Sequence, residues 1–179
     1  MLNGKNIKLR VIREQDIDQL AELSGNIESL GEYLPTLMVS AADLRKELHK
    51  SGFLSESLSK FIIADKHENI IGSTWAFKSV PYFDALEVGY HIFSKEDRGK
   101  GFATEALLLL TNYLFQSKQV NRIELRISTK NIASEKVAKN VGFVHEGTNR
   151  EAAFSMGKLH DMHIYALIRS EWLANHASS

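Results

Sequence analysis

The chain contains no cysteine. That excludes a disulfide framework, a thiolate zinc site and a cysteine nucleophile. A chain that needs no disulfides suits a reducing compartment, and the expected location is cytoplasmic. Proline is scarce, with two in 179 residues, and no tract is of low complexity. No interdomain linker is expected, so residues 1–179 read as a single domain with room for a substantial core. Neither sign of charge dominates: Lys+Arg and Asp+Glu each number 22. Nucleic-acid binding by bulk charge is therefore not expected. The longest wholly aliphatic run, residues 106–110, is far too short to span a bilayer. Residues 1–16 contain no continuous apolar stretch. Neither a secretory signal nor a membrane partner is expected.

What the chain does have is a glycine turn in a telling place. Arg98-Gly99-Lys100-Gly101-Phe102-Ala103 separates an extended segment, residues 86–93, from a strongly apolar helical one, residues 103–115. A strand that passes through such a turn into a helix start aims free backbone N–H groups at one point. The helix dipole adds partial positive charge there, which suits an anion. Gly99 and Gly101 let a ligand approach the backbone with no Cβ in the way, and Arg98 and Lys100 add charge that suits phosphate. The P-loop pattern does not fit, because Lys100 falls between the glycines. The dinucleotide fingerprint fits poorly, because Thr104 stands where its third glycine belongs. An ordinary strand-to-helix turn remains the plain alternative.

The surrounding chain sets the fold class. Residues 6–12 alternate as a first strand, with Ile7, Leu9 and Val11 on one face. Residues 13–24 form a helix, ended by Gly25 and Asn26. Residues 27–39 are irregular and offer either a wall for a second ligand or a plain loop. Ser40 caps a helix running to about Lys50. Residues 61–64 and 70–80 make a hairpin, and Gly72 in it marks a bulge or close packing. Gly89 in the next strand marks a bulge or splay that leaves backbone free. Residues 121–128 alternate as a strand, residues 133–140 form a short helix, residues 156–159 are a hairpin tip and residues 163–168 the last strand. The order predicts an α+β fold with a mixed, mainly antiparallel sheet of about seven strands and helices on both faces. An exposed last strand would offer an edge for a homodimer.

A third phosphate pattern, Arg/Gln-x-x-Gly-x-Gly/Ala, is met in full by Arg98-x-x-Gly101-x-Ala103. In it the chain resembles the GNAT superfamily of N-acetyltransferases, whose pyrophosphate loop has that pattern. The resemblance continues with Asn131-x-x-Ser134, Asn140-Val141-Gly142-Phe143, Gly147-x-x-Arg150-Glu151 and Gly157-x-x-His160-Asp161, in the expected order. It is similar to the branch that includes the ribosomal-protein N-terminal acetyltransferases. The resemblance implies acetyl transfer from acetyl-CoA to an amine by direct attack, with no covalent enzyme intermediate and no metal. It implies cofactor contacts from Ile92, Phe93, Arg98, Gly99, Lys100, Gly101, Phe102, Ala103 and Thr104, with Asn131 and Ser134 near the pantetheine arm.

Two acid–base candidates follow. Glu87, in the strand leading to the turn, can relay the amine proton through water; its plain alternative is a sheet-face carboxylate. Ser134 sits where the branch places a hydroxyl near the cofactor sulfur and is the candidate donor to the thiolate; its plain alternative is a hydroxyl serving the helix backbone. Tyr90 and Glu151 are the candidate acceptor-binding residues, although Arg150 can pair with Glu151 instead. The branch's ribosomal members carry an acidic residue where this chain has Ala153. The expected acceptor is a protein or peptide N-terminal α-amine, a ribosomal protein's among them. Polyamines, small amines and antibiotics are the enzymatic alternatives. A non-catalytic acyl-CoA sensor and a nucleotide-binding domain are the alternatives of another class. His160 and His163, three apart in a strand, face opposite ways and do not suggest a metal site.

Overall fold

The computed structural model describes residues 1–35 and 38–177. Its sheet has eight strands in the order β1-β2-β3-β4-β5-β6-β8-β7. β1 (Leu2–Asn3) and β2 (Lys8–Arg10) pair antiparallel, and β3 (Leu58–Ala64), β4 (Ile70–Phe77) and β5 (Ala85–Ile92) continue the antiparallel ladder. β6 (Arg122–Ser128) is parallel to β5 and antiparallel to β8 (Lys158–Ile168), and β7 (Val144–Ser155) forms the far edge. The expected mixed, mainly antiparallel sheet with helices on both faces is the observed one. It has one strand more than expected, because two-residue β1 is too short to leave a periodic signal.

Each face of the sheet buries its own apolar cluster. α4 (Phe102–Ser117) turns Ala106, Leu107, Leu110, Leu114 and Phe115 onto Leu9, Ile63, Ile123 and Leu125. α5 (Ile132–Val141) adds Ala138 and Val141 to the same cluster. On the other face, α1 (Ile17–Gly25) and α3 (Ala41–Ser51) bring Ile17, Leu20 and Leu44 against Ile62, Ala64 and Phe93. Complete burial of each such side chain contributes about 1.5–3 kcal/mol, so these clusters hold the sheet rigid. Between α1 and α3 lies α2 (Ile27–Leu30), a single turn capped by Asn26, which accepts from Glu28 N and Ser29 N. Ser40 caps α3 as expected, accepting from Asp43 N at 3.0 Å. α6 (Arg169–Ala177) follows β8 and packs Trp172 against Phe115.

Some local expectations are corrected. Val11 is 39% exposed and does not share the core face of Ile7 and Leu9. The strand ends at Arg10, whose guanidinium turns inward onto Asp16 through bonds of 2.7 and 2.9 Å. Burial alone would raise the Asp16 pKa, but Arg10 and the Arg13 backbone N–H hold it below the usual carboxylate range. The last strand begins at Lys158 rather than His163 and is not an edge, since it lies between β6 and β7. β7 is the edge, and its register with β8 slips between His145 and Gly147 and again between Asn149 and Ala153. Gly72 reflects close packing: a Cβ there would lie 2.4 Å from the His91 carbonyl oxygen.

Candidate functional site

The site is built where two parallel strands part. The β5–β6 ladder runs only from Ala85↔Arg122 to Glu87↔Glu124, yet β5 continues to Ile92 and β6 to Ser128. Beyond Glu87, β5 is paired with β4 alone. The backbone of residues 88–92 therefore has no strand partner on its β6 side. The register with β4 is unbroken through Gly89, so that glycine marks no bulge. It lies under an indole instead: a Cβ would sit 2.6 Å from Trp75 ring atoms. The split opens at the carboxyl ends of both strands, the end where open α/β sheets take their ligands.

One bank of the split is a continuous stretch of chain. Ser94 caps a 3-10 turn, Lys95–Asp97, by accepting from Glu96 N. Arg98 then folds back, donating from Nε to the Ile92 carbonyl at 3.2 Å and from Nη2 to the Ser29 carbonyl at 2.6 Å. Lys100 pairs with Asp97 at 3.0 Å and lies over the Phe102 ring. Both cations thus shape the turn in addition to placing charge at it. Gly99 and Gly101 have φ of 76° and 83°, the left-handed region. Nothing lies within 4 Å of where their Cβ atoms would be. Gly101 is the N-cap of α4 and brings no side chain, while Glu105 N already donates to its carbonyl. The N–H groups of Phe102, Ala103 and Thr104 have no intrahelical acceptor and face the open side. This bare cradle fits a pyrophosphate, and the unpaired β5 edge fits a ligand arm that carries amides.

The other bank is assembled from separate segments. Asn131 caps α5, its Oδ1 accepting from Ser134 N at 3.1 Å. Ser134 Oγ is left free of that duty and meets the Tyr90 hydroxyl across the split at 2.5 Å. Burial pushes the Tyr90 pKa up to about 12 against the opposing Ser134 bond, so the phenol keeps its proton at neutral pH. Glu87, three residues before Tyr90, lies on the opposite sheet face. There it pairs with Arg126, which also reaches Glu124 at 3.5 Å. Arg122 holds Glu124 from its other side.

A strap crosses from bank to bank. The Ser29 carbonyl of α2 accepts from Arg98 and from His91 Nε2 at 2.8 Å. A carbonyl can only accept, so His91 carries its proton on Nε2. Burial, with the nearby Arg98 and Lys60 charges, pushes the His91 pKa down despite the Ser29 bond. Beyond α2, the Tyr33 hydroxyl donates to the Lys130 carbonyl at 3.3 Å, and Ser155 Oγ donates to the Glu32 carbonyl at 2.6 Å. Residues 27–35 thus form a wall over the split. Thr36 and Leu37, part of the segment read as that wall, lie outside the described residues.

The sequence-predicted residues fall into four groups. Ile92, Phe93 and residues 98–104 line one bank in order. Tyr90, on the same strand, meets Ser134 across the split, where Asn131 caps α5 on the other bank. Glu87 stands at the base of the split on the opposite face. Glu151 sits in the second β7 slip with φ of 50°, its N–H held by Asp161 Oδ1 at 2.8 Å. Among the described residues no hydrogen bond or ion pair joins its side chain to Tyr90 or Ser134. Sequence reasoning missed Arg126 as the partner of Glu87, and Ser29 and Tyr33 as anchors of the strap. The Glu87–Arg126 pair joins neighbouring parallel strands, and only the strand pairing, not the spacing, could have found it. His160 bonds the Ser155 carbonyl while His163 faces Glu135. Among the described residues no group of three or more His, Asp or Glu is arranged to hold a metal, and no helix is long and apolar enough to cross a membrane.

The family described as Acetyltransferase (GNAT) domain matches residues 6–144. The chain is 28% identical over 180 residues to a putative ribosomal N-acetyltransferase, YdaF, of Bacillus subtilis (strain 168), covering 94% of each. A structure of RimL, a ribosomal L7/L12 alpha-N-protein acetyltransferase in complex with coenzyme A, superposes with a TM-score of 0.80 at 23% identity, over 94% of this chain and 97% of that one. A structure of spermidine N-acetyltransferase from Vibrio cholerae in complex with CoA and spermine gives a TM-score of 0.80 at 22% identity, over 93% and 98%.

Proposed function

The chain belongs to the acetyltransferase (GNAT) domain family and is an acetyl-CoA-dependent N-acetyltransferase, and we propose that, as one catalytic domain, it acetylates the N-terminal α-amine of a protein or peptide. The observation that carries the site is the split between β5 and β6, with a bare helix start on one bank and the Tyr90–Ser134 bond across it. Acetyl-CoA supplies the activated acetyl group. The N–H groups of Phe102, Ala103 and Thr104 would hold its pyrophosphate, and the unpaired edge of residues 88–92 its amide-bearing arm.

Acetyl transfer forms an N–C bond, breaks a C–S bond, takes a proton from the amine and returns one to sulfur. Ser134 is the donor to sulfur: its Oγ faces the split rather than its own helix. Glu87 receives the amine proton, through water. Its pairing with Arg126 fixes the direction of the carboxylate. Glu87 and Tyr90 lie on opposite faces of β5, so base and donor approach the thioester from opposite sides.

Charge supports the peptide acceptor over a polyamine. The carboxylates on the Glu87 face, Glu87 and Glu124, are already paired with Arg126 and Arg122. Lys60, opposite Trp75 in the ladder, adds a cation that burial makes easier to deprotonate. A polycation finds little free negative charge there. A ribosomal relative among the similar proteins points the same way.

The test is thiol release from acetyl-CoA across short peptides with free N-termini, polyamines, amino acids and aminoglycosides, with acetylated products confirmed by mass. Release with peptides is the expected result. Release with polyamines alone would overturn the acceptor while keeping the chemistry. Acetyl-CoA binding without release on any amine would overturn the roles of Glu87 and Ser134.

A further inference from the structure

Ser134 has a hydroxyl that its own helix does not use. A serine in the first helical turn commonly bonds the backbone of that turn. Here Asn131 Oδ1 takes Ser134 N, and the carbonyl four residues back, that of Lys130, accepts from Tyr33. The Ser134 oxygen makes its bond to the Tyr90 phenol instead, at 2.5 Å, the short end for two hydroxyls. The phenol belongs to β5 and the serine to α5, and the two meet where β5 has no β6 partner. Tyr90 also packs against the main apolar cluster, which fixes its ring.

We propose that Tyr90 is a positioning residue for Ser134: its phenol donates to Ser134 Oγ and so aims the serine hydrogen at the sulfur of the departing thiolate. The direction follows from acidity, since a phenol is a stronger donor than an aliphatic hydroxyl. Tyr90 also keeps its proton at neutral pH, since burial pushes its pKa up to about 12. A serine oxygen that already accepts a bond has its own hydrogen turned away from that donor, free for another acceptor. The step balances: as the C–S bond breaks, sulfur takes the Ser134 proton, the Tyr90 proton passes to Ser134, and Tyr90 is reprotonated through water by the proton that Glu87 took from the amine. Neither oxygen holds a lasting charge. The inference rests on Ser134 as donor and goes beyond it by assigning what orients that donor.

The test is a double-mutant cycle on kcat, with a peptide that the wild-type chain acetylates. Tyr90→Phe keeps the ring and removes only the hydroxyl. It is expected to lower kcat roughly ten- to hundredfold while KM for acetyl-CoA stays within about twofold. In a Ser134→Ala background the same change is expected to do nothing further. Ser134→Thr, which keeps a hydroxyl at that place, is expected to restore part of the Ser134→Ala loss only while Tyr90 is intact. Full kcat in Tyr90→Phe would overturn the inference. So would an equal loss in the Ser134→Ala background, which would reveal a packing role for the ring. A wild-type chain that binds acetyl-CoA but acetylates no amine would overturn the donor role of Ser134 and this inference with it. An active wild type with an indifferent Tyr90→Phe would overturn the inference alone.

Discussion

The two banks of the split are made in different ways. The β5 bank is one run of chain from Tyr90 to Thr104, held mostly by bonds between near neighbours: Arg98 to Ile92, Lys100 to Asp97, Ser94 to Glu96. The α5 bank is gathered from the start of α5, the strap after α2, and the β7–β8 arm, joined by contacts such as Tyr33 to Lys130 and Ser155 to Glu32. A bank that closes on itself suits the constant part of a reaction, the cofactor. A bank assembled from many segments suits the variable part, the acceptor, because each segment can change alone.

If that division holds, lesions on the two sides separate binding from turnover. The largest effect is expected from the acid–base groups. Glu87→Gln and Ser134→Ala should each lower kcat by about 10²–10⁴, the usual worth of a positioned proton-transfer group, with acetyl-CoA affinity retained in equilibrium titration. Next comes Gly101→Val on the other bank. A branched residue held at a left-handed φ costs about 1–2 kcal/mol, so a thermal melt should fall by a few degrees. Acetyl-CoA affinity should drop about tenfold if roughly 1.4 kcal/mol of that strain is relieved by turning the loop amides away. A loss of turnover with intact cofactor affinity in that variant would break the comparison.

The strap offers two smaller tests. The folded pKa of His91 is depressed, so the unfolded chain binds its proton first as pH falls. The stability it contributes is complete above the unfolded value, about 6.5, and is lost as pH drops from there toward the lower folded value. Urea midpoints at pH 8 and pH 5 should therefore differ less in His91→Gln than in the wild-type chain. Tyr33→Phe removes one neutral hydrogen bond, worth about 0.5–1 kcal/mol. It should raise the acceptor KM about two- to fivefold and leave the KM for acetyl-CoA unchanged.

The same division explains what could be read before the structure was in hand. The cofactor turn was legible because strand, glycines and helix are contiguous, and a local pattern needs no partner. Ser134 was singled out through the resemblance carried by Asn131-x-x-Ser134, and Tyr90 as a polar tip near the site, but not their meeting. They are 44 positions apart, and no periodicity encodes that contact. Val11 was misplaced because alternation was extended past Arg10, where the buried Arg10–Asp16 pair ends the strand. The last strand was read too short, from His163 rather than Lys158. Glu151, with its positive φ, and the register slips around it hide the alternation in β7.

Those slips have a further consequence, for solubility. A sheet of eight strands exposes two rows of unpaired backbone groups, and a long flat row is a template on which other chains can stack. At one margin β1 is only two residues long. At the other, β7 is broken twice within twelve residues, and the second break turns Glu151 into the left-handed region. An incoming strand would lose its hydrogen-bonding rhythm at each break. The irregularity that brings the Glu151 N–H onto Asp161 is thus also a guard against aggregation at high concentration.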